Sequence, residues 1–179
     1  MKKIWLIGLI ILIIGLWRNL SFAESSKFKP GSEPDGFRDI KWETDLSTLE
    51  DMEYFWTDPS YGGIKFYIRE KDDLHIGETE LTSIQYGFWK QKFSDVKVYT
   101  KGYVNWSGLK DAVFEKFGKG YQSNEFIERY FWFGDITDII LEYNEVSEIG
   151  SLWMSSRKIA EQQKAYDKQK AKEGAETGF

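Results

Sequence analysis

The sequence contains no cysteine, a single histidine and only three prolines in 179 residues. Without cysteine there are no disulfides, so the fold must be held together by hydrophobic packing. Zinc sites built from Cys and His, and lipid-modified cysteine at a cleavage point, are excluded for the same reason. Because His75 is the only histidine, sites that need several histidines are excluded too. We therefore expect neither a metal centre nor a cofactor.

The usual catalytic motifs are also missing. No Gly-x-Ser-x-Gly stretch presents a nucleophilic serine that His75 could activate. The "GKG" at Gly118 to Gly120 follows a predicted helix, whereas a phosphate-binding loop precedes one. The acidic residues beside His75, which are Asp72, Asp73 and Glu78, lack the spacing of a calcium-binding EF-hand loop and are interpreted as a polar turn. These absences favour a non-enzymatic protein.

The N-terminus has the layout of a secretory signal peptide. Two lysines precede an unbroken apolar run from Ile4 to Trp17, and small residues flank Phe22. The run is 14 residues long, whereas a helix needs about 20 apolar residues to cross a bilayer. We predict cleavage after Ala23 and a periplasmic or secreted protein. Retention of residues 4–23 as a membrane anchor is the alternative, and only then is the membrane a partner.

Charge narrows the class of partner. Removal of residues 1–23 takes away three basic residues and leaves 21 basic against 29 acidic ones, a net charge of −8. An acidic chain is a poor match for the phosphate backbone of nucleic acid. The partners that we expect are therefore an unknown protein, a peptide or an envelope glycan.

Composition divides the chain into four parts. Residues 1–23 are the predicted signal peptide, and residues 24–35 hold two of the three prolines and are predicted to be a flexible lead-in. Residues 36–155 are predicted to form a single α+β domain. Residues 156–179 are rich in helix-forming and charged residues but offer almost no apolar face. They are predicted to be a charged helical or disordered tail.

Hydrophobic periodicity predicts an α+β fold. Leu46, Leu49 and Met52 have helical spacing, and a stronger helix is predicted where Leu109, Val113 and Phe117 recur every fourth residue. Alternation of apolar and polar residues predicts six strands, near 64–69, 84–89, 96–101, 127–133, 137–143 and 150–155. The order is helix, three strands, helix, three strands. We expect an antiparallel sheet of about six strands with the two helices packed on one face.

Several short stretches resemble a group of small exported bacterial α+β proteins of unknown function. Such proteins have an Ile-x-Trp-Gly-Thr opening, a second helix that ends in Phe-Gly, and a Trp before an Ile-x-Leu strand. The matching residues are Ile40, Trp42, Thr44, Phe117, Gly118, Trp132, Ile139 and Leu141. Glu43 replaces the expected glycine of the opening. The resemblance covers about residues 36–155 and implies a fold, but no activity.

The placement of aromatic residues suggests a binding surface. Aromatic side chains are predicted on the strand faces opposite the apolar sets, among Lys65, Arg69, Gln85, Lys97 and Lys101. If helices cover only one face of the sheet, the other face is a rigid surface for a ligand or partner. Ordinary cross-strand pairing of aromatics is the competing interpretation. The residues that we select for a ligand or partner face are Tyr67, Trp89, Tyr99, Tyr103, Phe131 and Phe133.

Paired carboxylates provide the alternative function. Two acids from different strands can hydrolyse a glycosidic bond without any local motif. Glu128, Asp138 and Glu142 lie on a predicted hairpin and are the candidates for an envelope glycan hydrolase. Acidic residues on solvated strand faces are common, so their ordinary role as surface charges competes with this hypothesis.

Four consecutive aromatics, from Tyr130 to Phe133, make the strand near 127–133 apolar on both sides. If Gly134 and Asp135 form a two-residue hairpin loop, Phe133 pairs with Ile136. Tyr130 and Trp132 then share a face with Ile139 and Leu141, and we predict that this is the core face. Phe131 and Phe133 lie on the mixed face.

Overall fold

The computed structural model describes residues 27–178. The predicted signal peptide, residues 1–23, lies outside the described residues, and so does its cleavage point. Among residues 27–178, no helix is both long enough and apolar enough to cross a membrane.

The described chain contains two α-helices and eleven strands. The strands are β1 Gly36–Phe37, β2 Ile40–Lys41, β3 Met52–Asp58, β4 Ile64–Arg69, β5 His75–Ile76, β6 Thr79–Glu80, β7 Ser83–Trp89, β8 Lys92–Lys101, β9 Arg129–Phe133, β10 Thr137–Asn144 and β11 Ile149–Ser156. The helices are α1 Tyr103–Phe117 and α2 Arg157–Gly178. Single 3₁₀ turns occur at Leu46–Thr48 and Ser60–Gly62.

Seven of the strands form one antiparallel sheet in the order β3-β4-β7-β8-β11-β10-β9. The pairs β1-β2 and β5-β6 are separate two-stranded ribbons. The α+β class and the antiparallel sheet are thus confirmed, with one strand more than predicted. The order of elements is confirmed only in part, because four strands of the sheet precede α1 and three follow it.

The first predicted helix is wrong. Leu46 to Thr48 make one 3₁₀ turn that Asp45 caps, and Leu49 already has an extended backbone. Met52 then begins β3, whose sequence "MEYFWTD" is rich in the aromatic residues that favour strands. Three apolar residues at helical spacing therefore do not form a helix here, because Met52 belongs to the strand that follows.

One face of the sheet is covered by α1, and we call it the α1 face. Trp106, Leu109, Val113 and Phe117 of α1 are buried there. They pack against a core that includes Ile84, Tyr86, Val96, Val98, Tyr130, Trp132, Ile139, Leu141, Leu152 and Met154. Side chains alternate between the faces of a strand, so the neighbours of these residues point to the opposite face.

That opposite face is partly covered by α2, and we call it the α2 face. Ile159 of α2 is buried against Ile64, Phe66 and Trp89, and Tyr166 packs at their edge. The two helices therefore lie on opposite faces of the sheet. Of the two helices that were predicted to share one face, only α1 forms, and α2 comes from the segment that was predicted to be a charged helical or disordered tail. Because Ile159 and Tyr166 are the only large apolar residues in the first half of α2, the helix has no continuous apolar stripe for sequence patterns to reveal.

The described part of the predicted lead-in makes specific contacts. The Phe28 ring packs edge-on against Phe117, with 5.7 Å between the ring centres. Glu33 accepts hydrogen bonds from the backbone N–H groups of Ile136 and Thr137 through Oε1. The packed unit therefore extends on the N-terminal side of residue 36.

The β9–β10 hairpin has the predicted faces but not the predicted register. Phe133 pairs with Asp138 rather than with Ile136, so the loop between these two partners contains four residues. The shift is two residues, which keeps each side chain on its face. Tyr130 and Trp132 are buried on the α1 face, as predicted. The wider loop receives the Glu33 carboxylate, which binds its backbone.

Candidate functional site

The α2 helix leaves part of the α2 face uncovered. Alternate residues of β8, β11, β10 and β9 surround a depression of about 380 Å³ there. We call this surface the open face, and it consists of Lys97, Tyr99, Arg129, Phe131, Ile140, Glu142, Ser151 and Trp153, with Phe133 at its edge.

Strand register places these side chains in two rows across the sheet. Lys97, Trp153, Ile140 and Phe131 are successive cross-strand partners in the first row. Tyr99, Ser151, Glu142 and Arg129 form the second row in the same way. Cross-strand neighbours have Cβ atoms about 4.5–5.5 Å apart. Aromatic and hydrogen-bonding side chains are therefore adjacent throughout the surface.

Aromatic rings give the open face flat, accessible area. Trp153 is 41% exposed and Phe133 is 48% exposed. The rings of Phe131 and Phe133 are nearly parallel, with an interplanar angle of 11° and 6.0 Å between their centres. Rings held in this way contribute contact area with little further loss of conformational entropy.

Charged groups lie between the rings. Arg129 Nε is 2.6 Å from Glu142 Oε2, so these two side chains neutralise each other. The Lys97 ammonium lies over the rings of Phe66 and Trp153, at 4.5 and 5.4 Å from the ring centres. Burial, with a smaller contribution from the negative charge of Glu142, raises the pKa of Tyr99, so this hydroxyl stays protonated and can donate a hydrogen bond at neutral pH.

The structure brings together three of the six aromatic residues that the sequence suggested. Tyr99, Phe131 and Phe133 point to the α2 face on the uncovered strands. Tyr67 instead packs edge-on against Phe88 on the α1 face.

Two further residues of this set lie away from the open face. Trp89 is buried under α2, where its indole donates a hydrogen bond to the Tyr61 carbonyl. Tyr103 is the first residue of α1 and packs against Tyr143. The six residues therefore do not share one face. Tyr67 points to the α1 face, Trp89 lies beneath α2, and Tyr103 begins α1.

Sequence reasoning missed Trp153 and Ile140. Trp153 alternates with Leu152 and Met154, which are buried on the α1 face. Because side chains alternate along a strand, this pattern could have placed Trp153 on the α2 face, where it pairs with Lys97.

The three candidate carboxylates do not converge. Glu128 Oε2 accepts hydrogen bonds from Lys110 and Tyr130, both of which belong to the α1 side. Asp138 and Glu142 lie on the α2 face of β10, four residues apart, which corresponds to about 13 Å along a strand. Their basic neighbours are Arg157 and Arg129 respectively. The close pair of carboxyls that glycoside hydrolysis requires is not formed by these residues.

A second cavity, of about 210 Å³, lies between α2 and the sheet. Lys97 and Trp153 line both this cavity and the depression on the open face, so the two spaces adjoin. Its other walls include the buried apolar residues Ile64 and Phe66. We call this space the α2 cavity.

Two buried polar residues, Asp95 of β8 and Gln163 of α2, line the α2 cavity. The Trp153 indole donates to Asp95 Oδ1 at 3.0 Å. Within residues 27–178, Asp95 Oδ2 and Gln163 Nε2 have no hydrogen-bond partner. Burial raises the pKa of Asp95, against the opposing effects of Ser94, Trp153 and Lys97.

The residues described by the structure contain no cluster of three or more His, Asp or Glu side chains that could hold a metal ion. The acidic turn beside His75 has other partners. Asp72 pairs with Arg38 and accepts a hydrogen bond from Tyr86, and Asp73 lies 3.1 Å from the His75 ring nitrogen. These contacts give the turn a structural role.

Comparisons of the chain with protein-family models, with curated proteins and with solved structures give no match. The resemblance to small exported α+β proteins therefore stays a prediction. At the position where those proteins have glycine, Glu43 has a φ of 68°, which is the left-handed conformation that glycine adopts most easily.

Proposed function

We propose that this chain is an exported, non-enzymatic binding domain whose open face holds an envelope glycan. The observation that carries the proposal is the uncovered half of the α2 face, where flat aromatic rings and hydrogen-bonding groups surround one depression. Flat rings can stack on the faces of sugar rings, while nearby polar side chains bind the hydroxyl groups. Export rests on the signal peptide that the sequence predicts.

The arrangement of strands favours a glycan over an extended peptide. An added peptide strand needs the free backbone groups of a sheet edge. Here β8, β11 and β10 are paired on both sides, and the outer side of β9 is bridged at Phe131 by Tyr121. A ligand on this surface must therefore be held by side chains.

The mixed character of the surface argues against an amphipathic helix as the ligand. Helix-binding grooves are apolar, whereas Lys97, Arg129 and Glu142 are interspersed with the rings of the open face. Glu142 also offers acceptor oxygens, and Tyr99 and Ser151 offer hydroxyls. Such alternation matches a ligand that presents hydroxyl groups around apolar ring faces.

Co-sedimentation with isolated peptidoglycan tests the proposal. The chain that starts at Glu24 is expected to bind, and Phe131→Ala is expected to weaken binding by about tenfold, because it removes one of the rigid rings that line the open face. Phe126→Ala is the matched control, since Phe126 is 85% exposed in the loop before β9 and lies outside the open face. Equal binding by the wild type and by both variants would refute the role of the open face.

Export is tested separately. N-terminal sequencing of the protein recovered outside the cytoplasm is expected to begin at Glu24. A start at Met1 in a membrane fraction would instead support the anchored alternative.

A further inference from the structure

The α1 face contains a pocket of about 200 Å³ beside the C-terminal half of α1, and we call it the α1 pocket. Its floor consists of Val113 of α1 and of Leu152 and Met154 of β11, all of which are buried. The ribbons β1-β2 and β5-β6 contribute Phe37 and Ile76 to its walls. The pocket therefore leads from the surface to the main core.

The lining of the α1 pocket divides into apolar and basic residues. Nine of the lining residues in the described part of the chain are apolar or glycine, and the other three are Arg38, His75 and Lys116. These three residues are exposed, whereas the three residues of the floor are at most 4% exposed. The basic side chains therefore stand at the mouth, and the interior is apolar.

The three basic residues differ in their partners. Arg38 and His75 are already paired with carboxylates of the acidic turn. Among residues 27–178, no carboxylate lies within ion-pair distance of the Lys116 ammonium. Lys116 Nζ is instead 5.4 Å from the centre of the Phe117 ring, which lines the pocket. Lys116 thus offers, beside the mouth, a positive charge that the fold does not neutralise.

The volume of the α1 pocket limits the size of an occupant. An apolar cavity of about 150 Å³ accommodates benzene. The α1 pocket is about one third larger, which gives room for one aliphatic chain of about eight carbon atoms. Without an occupant, the apolar walls lack the dispersion contacts that a close-packed core makes. A single aliphatic chain supplies these contacts.

We propose that the α1 pocket binds a single-chain carboxylate of about eight carbon atoms. The aliphatic chain packs against Val113, Leu152 and Met154. The carboxylate stays at the mouth and pairs with the Lys116 ammonium. Ligand sites commonly combine an apolar concavity with a few polar groups that orient the ligand. The site lies on the opposite side of the sheet from the open face, so the inference does not depend on the proposed glycan function.

NMR of the methionine methyl groups tests the site directly. The chain that starts at Glu24 contains two methionines, Met52 and Met154. Met154 lines the α1 pocket, whereas Met52 packs against the same core outside the lining. Sodium octanoate is expected to shift the Met154 signal saturably in the millimolar range or below, and to leave the Met52 signal in place. Met154→Leu assigns the two signals.

Octylammonium, which has the same chain length and the opposite charge, tests the head group. Octanoate is expected to bind at least about fivefold more tightly, because the basic mouth attracts the anion and repels the cation. Lys116→Gln is expected to weaken octanoate binding by about threefold without weakening octylammonium binding. Lys119→Gln is the matched control, since Lys119 is exposed and lies outside the lining, and it is expected to change neither affinity.

Filling the pocket tests the chain. Ala112 lines the pocket from α1, and Ala112→Leu places a larger side chain where the ligand chain packs. Octanoate binding is expected to weaken by at least about tenfold, because a close-packed interior has no room for both groups. Ala165→Leu makes the same change at an exposed position of α2 and is expected to have no effect. Thermal unfolding of each variant verifies that it is folded.

The outcomes separate this site from the open face. A saturable shift of the Met154 signal that Ala112→Leu suppresses, and Ala165→Leu does not, supports the α1 pocket. A Met154 signal that millimolar octanoate leaves in place overturns the proposal, and so do equal shifts of both methionine signals, which would indicate a detergent effect. Equal affinity for octanoate and octylammonium overturns the pairing with Lys116. None of these results changes the expected binding of peptidoglycan, which is measured separately.

Discussion

The two faces of the sheet use aromatic residues in different ways. On the α1 face, a helix of 15 residues covers the centre of the sheet, and rings such as Phe93 and Trp132 are fully buried. On the α2 face, the 22-residue helix α2 buries Ile159 and Gln163 near its start and is exposed beyond Tyr166. Phe133 and Trp153 consequently remain at the surface.

The difference shows that coverage, rather than composition, separates core from candidate binding surface. Both faces carry apolar and aromatic side chains on the same strands, and β9 contributes Trp132 to one face and Phe133 to the other. A ring becomes core where another part of the chain lies over it, as Trp42 lies against Phe93. Substitutions that compare the faces can therefore measure how much the covering of each face contributes to stability.

The largest effect is expected from equivalent truncations on the two faces. Phe93→Ala removes a fully buried ring from the α1 face and is expected to lower the free energy of unfolding by about 3–5 kcal/mol. Phe133→Ala removes a half-exposed ring from the α2 face and is expected to cost less than about 1 kcal/mol. Urea unfolding measures both. Similar losses at the two positions would show that the open face is covered.

A smaller effect is expected where α2 docks. Ile159→Ala is expected to cost about 2–4 kcal/mol, because Ile159 is buried against Ile64, Phe66 and Trp89. Lys168→Ala, on the exposed half of the same helix, is expected to change stability by less than about 0.5 kcal/mol. The same urea titration compares them. An Ile159 variant as stable as the Lys168 variant would mean that α2 is a tail without a docked half.

Sequence periodicity predicted the elements that bury one clear stripe or one face. The i, i+4, i+8 pattern of Leu109, Val113 and Phe117 identified α1, and all three residues are buried. Alternation of apolar and polar residues identified β4, β7, β8, β10 and β11. The assumption of a hairpin loop with an even number of residues identified Tyr130 and Trp132 as the buried pair.

Periodicity failed where a residue's face depends on distant pairing. Ile64 and Phe66 alternate like core residues, but their register with Trp89 and Gly87 puts them on the α2 face. Tyr67 is thereby turned toward the α1 face. The pattern within one strand shows that two sets exist, while only cross-strand pairing shows which helix each set meets.

For the same reason, only three of the six aromatic residues selected from the sequence lie on the open face. Tyr99, Phe131 and Phe133 lie on strands that α2 leaves open, whereas Trp89 lies beneath the helix. The docking of α2 depends on a few separated contacts, which local patterns do not reveal. The α2 cavity lies between that helix and the sheet, so the sequence alone could not predict it.

Gly87 gives an intermediate test of close packing on the α2 face. A Cβ at this position would lie 2.8 Å from Phe66 Cε1 and 3.0 Å from Asp95 Cβ. Gly87→Ala is therefore expected to destabilise the protein by about 1–3 kcal/mol, through displacement of Phe66. Gly174→Ala is the control, since open space surrounds Gly174 in α2. It is expected to stabilise the helix by up to about 1 kcal/mol. Thermal unfolding of both variants checks the contrast, and a neutral Gly87→Ala would contradict the packing.

The smallest effect is a dependence on pH that has opposite signs at two carboxyls of the α2 cavity. Burial raises the pKa of Asp95, so the native state holds this proton more tightly than the unfolded chain does. The stability that this bound proton contributes to the wild type is therefore lost as pH rises from about 4, the ordinary pKa of aspartate, through the native pKa. Asp95→Asn cannot ionise and avoids that loss, so its free energy of unfolding is expected to rise relative to the wild type as pH rises.

Asp58 behaves in the reverse way, because the backbone N–H of Ser60 donates to its carboxylate and lowers its pKa. The stability from this interaction is present above about pH 4 and is lost as pH falls through the native pKa. Asp58→Asn is thus expected to fall behind the wild type as pH rises. Urea titrations at steps of about one pH unit, between about pH 3 and about pH 8, measure the free energy of unfolding of the wild type and of both variants. This range spans the ordinary pKa of aspartate. An Asp95→Asn curve that stays parallel to the wild-type curve would show that the pKa of Asp95 is the same in the native and the unfolded state, as it is for a hydrated surface carboxylate.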